Sequence, residues 1–349
     1  MCKRGGSNAL RRYAKILVTG GAGFIGSHLI DRLLQGGYEV TALDNFSSGK
    51  IENIRHHTGA SNFHLMRGDI RNLRNVEKAV EDADAVFHLA AIVSVPLSVK
   101  EPSLVKDVNV GGTLNLLEAS LDADVKRFVY ASSCAVYGEA SDLPIDERHP
   151  TAPLSPYAAS KLAAEHHCRF FHEDYGFETV CLRYFNAYGP RQKRGSYGGV
   201  ITQFINRIKQ GKPPIIYGDG SQTRDFVHID DVAEASELAM HRRGAVGEVF
   251  NIGTGKATTI NQLAQILTKL VGKPELKPVY TNPRLGDIKH SQANISKAQT
   301  ILGYIPKIGL EHGLKALLSH MRVPSKNAFS TKFDKINITH LSQDCHKWC

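Results

Sequence analysis

The chain has 349 residues, 42% hydrophobic and 22% charged, a composition that fits a folded globular protein of roughly two domains. No apolar run approaches the ~18 residues of a membrane span, and the basic start MCKRGGSNALRRYAK lacks an apolar signal segment, so a cytoplasmic protein with no membrane partner is expected. A net charge of +9 does not mark a nucleic-acid binder, because residues 1–15 supply +5 and residues 321–349 supply +3, leaving the body near neutral.

In chain order, Lys15–Thr19 (KILVT) reads as a strand that runs into glycines, and Ser27–Gln35 has helical periodicity. Tyr38–Leu43 and Phe63–Arg67 read as strands, and Val76–Val80 lies on a helix. Ala85–Leu89 is a strand, Val108–Leu121 a helix and Arg127–Ala131 a strand. This alternation implies βαβ units and an α/β fold, a doubly wound parallel sheet of Rossmann type over residues 14–185. From 186 to 320 Gly and Pro rise between shorter helices, such as Gly199–Gln210 and Thr259–Val271, which points to a smaller C-terminal α/β substrate domain with some crossing back. Residues 321–349 read as a tail without periodicity. The six cysteines (2, 134, 168, 181, 345 and 349) form no C-x-x-C pair and read as reduced thiols, with no metal site expected.

The stretch Thr19-Gly20-Gly21-Ala22-Gly23-Phe24-Ile25-Gly26 follows the first strand and opens the first helix. Gly20, Gly23 and Gly26 let backbone approach a pyrophosphate, and the helix start supplies free N–H groups and partial positive charge. Asp44 ends the second strand 18 residues after Gly26. A carboxylate there accepts the ribose hydroxyls of adenosine and repels a 2′-phosphate, which favours NAD over NADP. Asp69 follows the third strand, where an adenine ring would lie.

Tyr157 and Lys161, four apart after Pro156, share one face of a helix. A phenol has a pKa near ~10, and drawing it near neutrality takes roughly 4 kcal/mol. A neighbouring ammonium and a positive nicotinamide ring both favour the phenolate, which can then take a proton from a sugar hydroxyl. The stretch YASSCAVYG, residues 130–138, carries two hydroxyls and a thiol, but no His–Asp set accompanies it to make a nucleophile.

Nine blocks, TGGAGFIG, LDNFSSGK, GDIRN, HLAA, SSCAVYG, SPYAASK, LRYFNAYGPR, YGDGSQTRDFVHIDD and RLGDIKHS, occur in one order. Over residues 14–318 the chain resembles the extended short-chain dehydrogenases/reductases, specifically the nucleotide-sugar 4-epimerases. The resemblance implies NAD contacts from Gly20, Gly23, Phe24, Ile25, Gly26, Asp44, Asn45, Ser48 and Gly49. It extends them to Asp69, Ile70, Leu89, Ala90, Ala91, Asn109, Tyr157, Lys161 and Tyr184. It makes Ser133, Tyr157 and Lys161 catalytic, with Ser133 relaying the O4 proton and Ser132 beside it. It assigns the UDP-sugar to Ser94, Ser132, Ser133, Asn186, Val200 and Tyr217, with Arg224 and Arg284 on the diphosphate, Asp287 on the uridine ribose and Ser291 on the sugar. It also implies a homodimer paired through the helices 108–121 and 157–175.

Departures within the family narrow the chemistry. The related 4,6-dehydratases place Asp-Glu before V-Y-G, and the uronate decarboxylases keep an acid there; this chain has Cys134 and Ala135. The reaction is therefore expected to stop at C4. Ser291 matches the family's gatekeeper position, where a small side chain leaves room for a 2-acetamido group. UDP-N-acetylglucosamine/galactosamine is the first expectation. UDP-glucose/galactose and then UDP-glucuronate follow, the last with Arg191 or Arg194 as carboxylate partner.

Overall fold

The structure, a computed structural model, describes residues 12–192, 199–283 and 288–321. The chain runs β1 (Lys15–Thr19), α1 (Phe24–Gln35), β2 (Glu39–Asp44), β3 (Phe63–Arg67), α2 (Leu73–Val80) and β4 (Ala85–His88). It continues through α3 (Val95–Lys100), α4 (Pro102–Lys106), α5 (Gly112–Asp122), β5 (Arg127–Ser133), α6 (Pro156–Tyr175) and β6 (Thr179–Tyr184). Then come β7 (Asn186–Tyr188), α7 (Val200–Lys209), β8 (Ile215–Tyr217), β9 (Thr223–His228), α8 (Ile229–His241), β10 (Val249–Ile252) and β11 (Ala257–Thr259). The last elements are α9 (Ile260–Val271), β12 (Val279–Thr281) and α10 (Leu310–His320).

Seven strands form one parallel sheet in the order β10-β6-β5-β4-β1-β2-β3. The order reverses between β1 and β4, and the carboxyl ends of the strands there open a crevice, the usual ligand position in such sheets. Strands β4 and β6 are buried along their full length, as strands of a parallel sheet covered on both faces are. On one face α1 and α8 bury Leu29, Ile30, Leu33, Val232, Ala235 and Ala239. On the other, α2, α5 and α6 bury Val76, Ala79, Leu116, Leu117, Ala164 and Cys168. A smaller layer contains the sheet β11-β9-β7, the pair β12-β8 and helices α7, α9 and α10 around Ile205, Leu263 and Leu314.

β10 lies well past residue 186 and pairs with β6, so the chain returns to the main sheet after building part of the smaller layer, a crossing back of the kind the sequence reading allows for. One feature differs from that reading. The expected helix 108–121 is divided: Asp107–Gly111 forms a widened π turn before α5. That turn inserts Asn109 into the interior, and such turns often serve functional positions.

Helix α6, which carries Tyr157 and Lys161, has well-formed ends. Ser155 caps it by accepting from the Ala158 N–H, Pro156 opens it, and Gly176 closes it in the left-handed region at φ 67°. At the opposite end of β5, the fully buried Arg127 donates to the carbonyls of Ala239 and Arg242 at 2.9 and 3.2 Å and to Glu178 at 2.9 Å. It ties the sheet to the end of α8. Replacing it leaves two carbonyls and a carboxylate short of a donor, so Arg127→Ala is expected to lower unfolding stability by about 3 kcal/mol. Urea denaturation reads this directly; an unchanged midpoint would show that the bridge contributes nothing.

Candidate active site

A cleft of about 600 Å³ opens at the carboxyl ends of the main sheet. Gly20, Gly23, Phe24, Ile25 and Gly26 form its floor. A Cβ on Gly26 would meet the Gly20 carbonyl oxygen at 2.3 Å, and one on Gly20 would meet the Ala90 nitrogen at 2.8 Å. Gly20 also sits at φ +67°, so both contact and backbone require glycine. No side chain caps the start of α1, and its first turn holds no acid, which leaves N–H groups and positive potential toward the cleft.

Asp44, Asn45 and Ser48 line the far end, followed by Asp69 and Ile70. The Asp44 carboxylate is buried and accepts from the N–H groups of Ala22 and Phe46 at 2.9 and 2.8 Å. Burial raises its pKa, against the pull of those two N–H groups. Gly49 packs on this carboxylate, where a Cβ would stand 2.8 Å from an oxygen. The guanidinium of Arg71 holds Asp69 far below the ordinary carboxylate range, against burial and with help from Asn45. These residues fit a dinucleotide: a glycine-only floor, an uncapped helix start for phosphate, and a fixed buried carboxylate for a ribose.

Leu89, Ala90 and Ala91 form the side wall. A buried polar chain holds them. The N–H groups of Leu89 and Ala90 both reach Thr19 Oγ1 at 3.2 Å, which lies 2.8 Å from His88 Nδ1. His88 Nε2 lies 2.9 Å from Thr113 Oγ1, whose proton goes to the Asn109 carbonyl at 2.6 Å. With that proton committed, His88 must donate from Nε2 and accept at Nδ1, and burial keeps it neutral by drawing its pKa down to about 3. The Asn109 side chain clamps Ile92 through both its N–H and its carbonyl and also donates to Ser160 Oγ at 2.9 Å. Asn109, expected as a cofactor contact, is buried outside the cleft lining and braces the wall through Ile92 and Ser160.

Ser132, Ser133, Tyr157, Lys161 and Tyr184 meet at the inner end, with Asn186 beside them. Burial pushes the Tyr157 phenol up to about 12, and the neighbouring Ser133 hydroxyl pulls it back in part. Lys161 donates to the Ala131 carbonyl at 2.8 Å and lies 4.9 Å from the centre of the Tyr130 ring. Burial draws it down to about 8, opposed by Cys168 and Glu165. The Tyr184 hydroxyl pairs with Ser236 at 2.8 Å. Asn186 Oδ1 is buried without a partner among the described residues, as is Gln192 Oε1 on the same cleft.

The remaining expected residues among those described stand outside the lining of this cleft. Ser94 caps α3 by accepting from the Leu97 N–H. Val200 opens α7, and Tyr217 closes β8 with its carbonyl bonded to Gln222 at 2.7 Å. Ser291 is buried and shares a hydrogen bond with the Cys134 thiol, on which the Arg224 charge also acts; burial nevertheless pushes that thiol up to about 11. Arg284, Asp287 and Arg194 lie outside the described residues. Arg191 pairs with Asp31 through one guanidinium nitrogen at 2.7 Å, while its Nη1 is buried without a partner among the described residues.

Sequence reasoning missed Glu165 and Arg183. The Ser132 hydroxyl donates to Glu165, and Arg183 grips the same carboxylate at 2.7 Å while its guanidinium lies over the Tyr137 ring. All of this is buried. The signal was present in the spacing, because Tyr157, Lys161 and Glu165 continue one step of four along α6.

A profile of the NAD dependent epimerase/dehydratase family matches residues 16–253. The chain belongs to that family. NAD is its cofactor. A putative UDP-glucose 4-epimerase of Methanocaldococcus jannaschii is 42% identical over 309 residues, 88% of this chain and 98% of that one. The UDP-N-acetylglucosamine 4-epimerase of Methanobrevibacter ruminantium, solved with UDP-N-acetylmuramic acid, aligns with a TM-score of 0.84 at 39% identity, over 89% of this chain and 99% of its own. The UDP-glucuronic acid 4-epimerase of Bacillus cereus, solved with UDP-glucuronic acid and NAD, aligns with a TM-score of 0.82 at 37% identity, over 88% and 98%.

The buried lysine gives a stability test. Its pKa of about 8 in the fold lies below the ordinary 10.5, so between those values the unfolded chain keeps a proton that the folded one has released. Stability from this group rises with pH across that window, and below pH 8 the penalty is at its full size. Lys161→Met is therefore expected to stabilise the cofactor-free protein at pH 7 by about 2 kcal/mol, after allowing for the lost bond to Ala131. The gain should shrink by pH 9.5 in urea unfolding. Equal stabilities at pH 7 would contradict a strained ammonium.

Proposed function

We propose that this chain is a UDP-hexose 4-epimerase whose preferred pair is UDP-N-acetylglucosamine and UDP-N-acetylgalactosamine. One observation carries the reaction: Ser133, Tyr157 and Lys161 meet at the inner end of a dinucleotide cleft with no carboxylate at positions 134 and 135. Residues that move a proton at one oxygen are therefore present. A carboxylate that would take protons from neighbouring sugar carbons is absent from those two positions.

When bound, NAD supplies the hydride acceptor at the sugar C4 and the donor that restores it. Gly20, Gly23 and Gly26 would hold its pyrophosphate, and Asp44 its adenosine ribose. The Tyr157 Oη takes the O4 proton and later gives it back, and Ser133 bridges the two oxygens. Lowering a phenol from about 12 toward neutrality requires roughly 7 kcal/mol, more than an isolated tyrosine would need. Lys161 is engaged with Ala131 rather than aimed solely at the phenol, so its ammonium acts through the shared buried environment. The rest of the lowering falls to positive charge brought into the cleft with ligand.

Sugar preference rests on Ser291, small and buried near Cys134, the residue after Ser133, behind the cleft lining. A plain-hexose epimerase is the second reading, favoured by the name that the M. jannaschii relative carries. A uronate epimerase is the third reading; Arg191 pairs with Asp31 through one nitrogen and keeps Nη1 unpartnered among the described residues.

Three assays test this. The chain should convert UDP-N-acetylglucosamine without net NADH release; accumulated NADH or a released keto-sugar would overturn the epimerase reading. Tyr157→Phe should reduce turnover about 10²–10⁴-fold while NAD stays bound. Ser291→Tyr should reduce the rate on the acetamido sugar about tenfold more than on UDP-glucose. Equal losses on both would remove Ser291 as the gate.

A further inference from the structure

Away from the cleft, three donor atoms converge on one point. His56 Nε2 and His57 Nε2 lie 2.8 and 2.6 Å from the same oxygen, Asp31 Oδ1. The three ligand atoms lie within 4.8 Å of one another. Asp31 comes from the middle of α1, and the histidines from the short helix Arg55–His57 between β2 and β3. The other Asp31 oxygen is held by Arg191 at 2.7 Å. His57 and Asp31 are about one-fifth exposed and His56 about half, so one side of the group is open to solvent.

We infer that Asp31, His56 and His57 form a site for a divalent transition-metal ion of the zinc class. Two imidazoles and a carboxylate are the ligand types such ions take, and an open side leaves room for a water as fourth ligand. Two rings aimed at one oxygen can be held either by protons or by a cation. In the metal-free form each ring must present an Nε2–H to the carboxylate. On binding, a neutral ring moves its single proton to Nδ1 and offers the Nε2 lone pair, so no oxidant or further reactant is needed.

The geometry needs only modest opening. Ligand atoms about 2.0–2.1 Å from a tetrahedral ion stand roughly 3.3 Å apart, so the rings must withdraw from the oxygen by about half an ångström. Arg191 acts in both directions: it orients the carboxylate as an outer partner, and its charge lowers affinity for a cation.

Its position sets its effect. A metal there would staple α1, whose first turn faces the cofactor, to the segment after β2. The Asp31–Arg191 pair adjoins Gln192, which lines the cleft and bonds the Ala187 carbonyl at 3.2 Å. Arg191 occupies the left-handed region at φ 63°, a conformation that favours Gly and Asn, so the ion pair holds a residue that the backbone alone disfavours. Occupancy should therefore raise stability without being needed for turnover.

The test uses the untagged full chain, stripped with chelator and then titrated with ZnCl2 and, separately, CoCl2. One equivalent of zinc per chain should remain after desalting, cobalt should show tetrahedral d–d absorption, and the melting temperature should rise. His57→Gln and His56→Gln should each weaken zinc binding about tenfold or more, the scale at which loss of even an outer partner is felt. Cys345→Ser/Cys349→Ser, which removes the thiols at the other concentration of metal-binding residue types, should leave binding unchanged. His56→Gln keeps the test usable should the less exposed His57→Gln fail to fold. Failure of the wild-type chain to retain zinc would overturn the inference. So would unchanged affinity in a folded histidine variant, or loss of binding in the tail variant.

Discussion

The Lys161 ammonium is buried at the carboxyl end of β5, 2.8 Å from the Ala131 carbonyl oxygen, and burial draws its pKa down to about 8. The Tyr157 phenol, one turn back along α6, is pushed the opposite way, to about 12. Each group is therefore moved by desolvation toward its neutral form. A carboxylate directly on the ammonium would have relieved the strain and fixed the charge. The fold instead places Glu165 one further turn on and commits it to Ser132 and Arg183. The lysine keeps an unsatisfied demand for negative charge, which a transient phenolate can meet. Such stored strain at a site is compatible with a folded chain only when the surroundings determine the geometry strongly.

Those surroundings are polar and continuous. The chain from Leu89 and Ala90 through Thr19, His88 and Thr113 to Asn109 ends on Ser160, the residue before Lys161. The wall of the dinucleotide cleft and the catalytic helix are thus built on one buried network. Every group whose proton can be traced has a partner, the condition under which such a network fixes a single geometry. The π turn has its reason here: the extra residue in that turn directs Asn109 inward, where a regular helix would carry a different face.

Much of this was legible in the sequence. The strand–glycine–helix order around residues 15–35 and the carboxylate at Asp44 are local signals, and local backbone chemistry decides them. Strands β1 to β5 were legible as short runs between helical patterns; β6, Thr179–Tyr184, was not read as a strand, its apolar run being broken by Arg183. β10 was not read either, because Val249–Ile252 is only four residues long and its pairing with β6 is set by tertiary packing. The bracing bonds of Asn109 to Ile92 and Ser160 were not legible, since they depend on the π turn and on partners 17 and 51 residues away. Asp31, His56 and His57 carry no ligand spacing at all; only the folding of the β2–β3 connection over α1 brings them together. Residues 284–287, which hold two of the expected substrate contacts, lie outside the described chain.

The account holds that this cleft moves one hydride and one proton at a single carbon. The most direct measurement follows UDP-N-acetylglucosamine deuterated at C4 through the reaction in ordinary water, with NMR of the product. Deuterium retained at C4 of the galacto product, with no solvent hydrogen entering C4 or C5, is the predicted result. Washout of the C4 label, or solvent hydrogen appearing at C5, would contradict it, because either requires a proton path that Ser133 and Tyr157 alone do not provide.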